Sequence, residues 1–293
     1  DEMVKREKKA GGSAPNPGKA TEAIELTDWE TKSLAALDQY SKLFPTSDKT
    51  KNIIYKSAYL LYNKNHFKDA SDRFRVVIGM DPGSKEAEQA ANLILDSFAL
   101  VEDWRNLKDV SKAFYDQDGL GTSSFKQEVF NIYERASFKL IEVTFAKDQN
   151  KVTAADAYRA FYDEFPKSEV ADLALNNAAV YFHGEGNLAK AMETRHLLVD
   201  NFPKSDFYKD QVAALGFDYE SIADFANSAM WYEKLFNLDA KHESSPDALY
   251  SSALFRRAMG EWQVAIKNYE KYISAYPDKE NVEEIKLEIA KIY

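Results

Sequence analysis

Apolar residues recur along this chain at helical spacing, in stretches of ~12–16 residues bounded by proline or glycine. Sustained alternation of apolar and polar positions between turn dipeptides is missing, so the pattern predicts helices and no strands. One stretch, Phe125 to Ala146, runs on until Lys147-Asp148-Gln149-Asn150-Lys151 breaks it. Val282, Ile285, Ile289 and Ile292 open a final stripe over residues 281–293.

The stretches keep a common beat. Phe44 to Ser47 reads FPTS, Phe165 to Ser168 and Phe202 to Ser205 read FPKS, and Tyr276 to Asp278 reads YPD. The prolines of these turns, with Pro82, stand at 45, 82, 166, 203 and 277. Steps of 37 connect 45 to 82 and 166 to 203, and the next step lands on Ala240 before reaching 277. The same step from Pro82 reaches Gly119, and from there to Pro166 is 47, ten residues longer. Twelve residues before the beats stand Ser33, Ala70, Leu107, Ala154, Ala191, Ser228 and Ala265; twenty-four before stand Ala58, Ala179, Gly216 and Ala253. Small side chains there let the two helices of a hairpin approach closely. Phe67, Trp104, Leu188, Phe225 and Trp262 open the second helix, and Gly186 and Gly260 suit the turn before it. Such phase along one chain predicts an internal repeat of helix–turn–helix units.

Small at position 8, large at 17, small at 20 and proline at 32 is the tetratricopeptide repeat (TPR) pattern, and the chain resembles that family over roughly residues 28 to 293. The resemblance implies an all-α fold, a right-handed TPR superhelix (α-solenoid) of about seven helix-turn-helix repeats over residues 21–293. Its repeats would end near 45, 82, 119, 166, 203, 240 and 277, leaving 281–293 as a capping or truncated helix. The period of 37 instead of 34, with the extra residues after the proline, is similar to the TPR proteins of bacterial envelopes. These are the BamD-like outer-membrane lipoproteins and the YbgF/CpoB-like periplasmic proteins. That likeness implies the periplasm or the periplasmic face of the outer membrane, with the cytoplasm as the alternative.

The array is irregular at both ends and in the middle. Pro15, Pro17 and Gly18 forbid a regular first helix for repeat one. Residues 1–20 therefore read as a flexible tether, and repeat one reduces to its second helix, Asp28 to Leu43. The ten extra residues of repeat four fall between its helices and, if helical, would project ~15 Å.

Composition narrows the function classes. With 38 Lys plus Arg against 48 Asp plus Glu the net charge is −10, which leaves no basic face for nucleic acid. The 17 Tyr, 18 Phe and 4 Trp exclude disorder of the whole chain. Without cysteine there is no disulfide framework, thiolate metal site or cysteine nucleophile. No apolar run reaches the ~18 residues of a membrane span. The start at Asp1, without an initiator Met, reads as a processed product, and a lipid anchor upstream is compatible with it.

Chemistry-bearing constellations are absent from the sequence. His66, His183, His196 and His242 lack metal-ligand spacing and read as turn or surface residues. Neither a Gly-x-Ser-x-Gly elbow nor a phosphate-cradling glycine loop occurs, so no enzyme activity, metal or cofactor is expected.

The TPR resemblance implies instead a concave groove lined by the first helices. Carried over by the beat, its partner-facing positions are Tyr55, Tyr59, Tyr62, Asn92, Asp96, Tyr133, Asn176, Phe217, Tyr250 and Arg257. Tyr133, with Val129, is counted forward from Gly119. No Lys or Arg stands at position 5, which excludes a carboxylate clamp. Tyrosines offer broad apolar area plus a hydroxyl, although the same rings also pack on neighbouring helices. A second candidate surface is the insertion, where an exposed Phe145 stands near Lys147 and Asp148; the alternative is that this segment folds back over repeat three. The expected function is a non-catalytic scaffold that holds a peptide or helix of a protein partner, within a bacterial cell-envelope assembly. The alternatives are an internal domain packing against the rest of a larger protein, a solenoid-class enzyme or small-ligand receptor, and homo-oligomerisation through the terminal helices.

Overall fold

The computed structural model describes residues 21–292; the tether assigned to residues 1–20, and Tyr293, lie outside them. The described residues form fourteen α-helices and no strand, as the periodicity predicted. They divide into two units at Leu140 and Ile141. Unit 1 holds α1 (Asp28–Leu43), α2 (Thr50–Asn63), α3 (Phe67–Met80), α4 (Lys85–Leu100), α5 (Trp104–Asp116) and the first part of α6 (Ser123–Asp148). Unit 2 holds the rest of α6, then α7 (Lys151–Glu164), α8 (Ala171–Gly184), α9 (Leu188–Asn201), α10 (Tyr208–Ser221) and α11 (Phe225–Leu238). It continues with α12 (Ser245–Ala258), α13 (Trp262–Ala275) and α14 (Val282–Ile292).

Two kinds of turn set this order. Between hairpins, the FPxS segments are four-residue turns with proline at the second place, where its fixed φ fits. The Ser47 amide donates to the Phe44 carbonyl at 3.2 Å, and Ser168 to Phe165 and Ser205 to Phe202 at 3.0 Å. Ala240 replaces proline in the turn Asp239–His242, yet the His242 amide still reaches the Asp239 carbonyl at 3.1 Å. Hydrogen bonding, not proline alone, makes the turn.

Within hairpins the reversal uses one left-handed residue. Asn65, Glu102, Gln149, Gly186, Ala223 and Gly260 have φ of 61°, 55°, 55°, 75°, 60° and 79°. Only two of the six are glycine, so four repeats accept a conformation that costs other residues ~1–2 kcal/mol. The next residue often offsets part of that cost by capping the second helix: Asp103, Asn150, Asn187 and Asp224 accept the amides of Asn106, Thr153, Lys190 and Asn227.

Consecutive helices pack on one another from α1 to α5 and from α7 to α14, and first helices of adjoining hairpins also meet, α2 on α4 and α10 on α12. Ala58, Ala70, Ala179, Ala191, Ala253 and Ala265 are fully buried at these crossings. Gly216 is the tightest: a Cβ added there would lie 2.4 Å from the Tyr232 ring. At the end of unit 2, α14 buries Val282 and Ile285 against Leu249, Ala253, Tyr269 and Tyr272, while Leu287 on its other side is 56% exposed.

Tyr269 carries a testable cost. Its side chain is fully buried and its hydroxyl has no hydrogen-bond partner among the described residues, and burial pushes its pKa up to about 12. A raised tyrosine pKa favours the neutral form in the folded state. The stability this contributes is therefore present below pH 10 and lost as pH climbs from 10 towards 12. By pH 11 the loss from this one group is about 1 kcal/mol. Tyr269→Phe is expected to leave urea stability at pH 7 unchanged or higher, and to shrink the fall between pH 7 and pH 11. An unchanged alkaline fall would show that Tyr269 is not the group responsible.

Candidate functional site

In unit 1, first helices α2, α4 and α6, with the start of α5, enclose an open groove of about 810 Å³. One wall is aromatic: the rings of Tyr55 and Tyr59 stack 6.3 Å apart at 8°, and Tyr59 is 43% exposed. Along α4 runs a polar row, Gln89, Asn92 and Asp96, spaced i, i+3, i+7 and so on one helical face. The far wall is Glu128, Ile132 and Arg135 on α6, with Trp104 and Leu107 from α5.

Four of the groove residues read from the sequence meet here: Tyr55, Tyr59, Asn92 and Asp96. Two do not. Tyr62 is 5% exposed, with its ring edge on Phe67 at 5.7 Å. Its hydroxyl donates to the Asp96 carboxylate, so it orients a groove residue from the core. Tyr133 is 3% exposed and Val129 fully buried. The count in repeat four slipped by one. Helix α5 stops at Asp116, and in the other hairpins the beat follows the helix end by two residues, as Pro45 follows Leu43 and Pro203 follows Asn201. The beat thus belongs to Asp118, and Gly119 and Gly121 complete the turn with φ of 74° and 68°. One residue rotates a helix position by ~100°, which carries Tyr133 into the core and Glu128, Ile132 and Arg135 to the groove. The Lys126 ammonium closes this corner by donating to the Phe114, Tyr115 and Gln117 carbonyls at 2.6, 2.7 and 2.5 Å.

The remaining positions lie in unit 2 and are mostly engaged. Asn176 accepts from Gln211 at 2.8 Å. Tyr250 is half-buried between Tyr269 and Tyr272, at 6.3 and 6.0 Å. Arg257 pairs with Glu288 of α14. Phe145, expected as an exposed docking residue, is half-buried with its ring 4.9 Å from Tyr181; Lys147 beside it is exposed. Phe217 also stays open, 55% exposed. It shares a cavity of about 820 Å³ with His183, Arg195, Asp218, Tyr232 and His242.

Under that cavity lies a buried ion pair. Arg195 Nε donates to Asp218 Oδ2 at 2.8 Å and its Nη1 to Gln211 at 2.6 Å, with the two charged side chains 5% and 0% exposed. Burial lowers the Arg195 pKa, against the pull of Asp218. Burial and the hydrogen bond to Glu220 both raise the Tyr232 pKa. His242 sits in the turn Asp239–His242 with its side chain 13% exposed and the His183 side chain is 39% exposed, whereas His196, within α9, meets the Tyr219 hydroxyl at 3.0 Å and the Trp231 ring at 5.4 Å. Among the described residues no three His, Asp or Glu are arranged to hold a metal ion, and no helix is long and apolar enough to cross a membrane.

The sequence model of the tetratricopeptide repeat matches residues 247–279. That TPR segment covers most of the hairpin α12–α13 and the turn that closes it. No curated protein matches the chain in sequence. Among solved structures, the chain is similar to PilW, a type IV pilus biogenesis factor, at 10% identity over 82% of this chain and 99% of that one, with a TM-score of 0.37. It is similar to the TPR2AB domain of yeast Sti1, solved with an Hsp90 peptide, at 11% identity over 90% and 92% of the two chains, with a TM-score of 0.39. A third similar structure is the Cut9–Hcn1 assembly of the APC/C, at 13% identity over 90% of this chain and 46% of that one, with a TM-score of 0.34.

Proposed function

We propose that this chain is a non-catalytic interaction scaffold, and that the groove of unit 1 holds an extended segment of a partner protein. The observation that carries the reading is the polar row Gln89, Asn92 and Asp96 lying between the Tyr55–Tyr59 wall and the apolar side chains of Trp104, Leu107 and Ile132. An extended peptide has free backbone N–H and C=O groups that could pair with such a row, while its side chains pack on Tyr55, Tyr59, Trp104 and Ile132. A helix satisfies its own backbone and would strand the row beneath an apolar face.

The scaffold would work in a bacterial cell envelope, a reading supported by the spacing and the FPKS turns. Second helices begin at Phe67, Trp104, Lys151, Leu188, Phe225 and Trp262, in steps of 37 except the 47 that spans α6. Recovery with cytosolic markers on cell fractionation would remove this part of the proposal.

Photo-crosslinking tests the groove. A benzophenone amino acid placed at Tyr59 or Gln89 should trap a discrete partner, whereas the same probe at Val76, 50% exposed on α3, should not. Tyr59→Ala with Asn92→Ala should reduce the Gln89 crosslink about tenfold, the effect of removing one or two central contacts. Equal trapping at Val76 and Tyr59 would count against the groove.

A further inference from the structure

The cavity of unit 2 has a chemistry that the scaffold reading does not use. Its wall carries five carboxylates, Asp210, Asp218, Glu220, Glu243 and Asp247, against one guanidinium, Arg195, which is spent on Asp218 and Gln211. Two of the acids have local donors. His242 Nε2 meets Asp210 at 2.9 Å while its Nδ1 accepts the Ser244 amide, and the Tyr232 hydroxyl donates to Glu220 at 2.6 Å. Glu243 and Asp247 have no ion-pair partner among the described residues. The cavity is left strongly negative.

Acidity alone would not define a site, but two further features point the same way. Phe217 presents an open ring among these carboxylates, an arrangement that attracts an organic cation to the π-face. On the floor, Asp218 is fully buried, and its Oδ1 accepts no hydrogen bond from the described residues. His183 Nδ1 lies 3.1 Å from that oxygen without hydrogen-bonding geometry and is itself unsatisfied. Asp218 pairs with Arg195 through Oδ2, so what the floor leaves unsatisfied is one buried acceptor and the imidazole nitrogen beside it. The absence of a three-ligand arrangement among the described residues favours an organic cation over a metal ion.

We propose that this cavity binds a basic side chain, the guanidinium or ammonium of an Arg or Lys in a partner protein. The cation lies against Phe217 and faces Glu243 and Asp247.

Fluorescence anisotropy with the full chain tests this, using a labelled nonapeptide of alternating Arg and Ala and the same peptide with citrulline in place of Arg. The Arg peptide should bind at low salt and the citrulline peptide at least tenfold more weakly. Phe217→Ala and the pair Glu243→Gln/Asp247→Asn should each weaken the Arg peptide about tenfold. Asp109→Asn/Asp206→Asn removes two exposed carboxylates elsewhere and should change the affinity less than twofold, which separates the cavity from the net charge of −10. Tyr59→Ala in the unit 1 groove should also have no effect. No binding of the Arg peptide, equal binding of the citrulline peptide, or equal losses from the cavity and control pairs would overturn the proposal. The substituted side chains are exposed, and unchanged melting of each variant by circular dichroism confirms that only binding is read.

Discussion

Arg195→Met should lower stability by about 3–5 kcal/mol, the largest effect of any single substitution considered for this chain. Arg195 and Asp218 are 5% and 0% exposed, and among the described residues the guanidinium supplies the only hydrogen bond that the carboxylate accepts. Methionine fills much of the same volume, so the loss would come from stranding an ionised carboxylate, together with the Gln211 oxygen that Arg195 also serves. The pair need not be stabilising overall, because taking two charges out of water costs about what their attraction returns. For that reason Arg195→Met/Asp218→Leu should recover at least half of the loss. Urea denaturation of wild type, single and double variants closes the cycle. A single variant that loses less than about 1 kcal/mol would show that water reaches Asp218.

Gly216→Ala should cost about 2 kcal/mol net, although glycine to alanine inside a helix normally gains about 1 kcal/mol. The new Cβ would sit 2.4 Å from both Cδ1 and Cε1 of Tyr232. That ring cannot step aside: it is 7% exposed and anchored by its hydroxyl on Glu220 at 2.6 Å. Relief requires α10 and α11 to move apart, which loosens the packing around Leu215 and Leu235. Gly79, in α3, has nothing within 4 Å of its added Cβ, and Gly79→Ala should move the melting temperature the other way. Shifts of the same sign at the two glycines would refute the crowding at Gly216.

Much of this architecture was legible in the sequence. Helix α1 spans Asp28–Leu43, as the beat and the early prolines implied, and Phe67, Trp104, Leu188, Phe225 and Trp262 each open a helix. Small residues twelve and twenty-four before the beat, all but the half-buried Ser33, are buried because helix contacts there leave no room for more. The site was legible only in part. Tyr55, Tyr59, Asn92 and Asp96 line the groove, whereas Tyr62, counted from the same proline as Tyr55 and Tyr59, is buried, and Tyr133, counted from a glycine, missed by one residue.

The sequence by itself determined where the chain turns and which face of each helix is buried, because hydrogen-bonded turns and apolar periodicity are local properties read over a few residues. Only the tertiary structure decided which outward residues stay free. Tyr62, Tyr250 and Arg257 are absorbed by Asp96, by Tyr269 and Tyr272, and by Glu288, partners 19 to 34 residues away in the chain. The carboxylates around Phe217 come from α10 and from the α11–α12 turn with the start of α12, and they share a cavity only once those helices pack. Whether a side chain is spent on its own protein or left for another depends on contacts that no local pattern encodes.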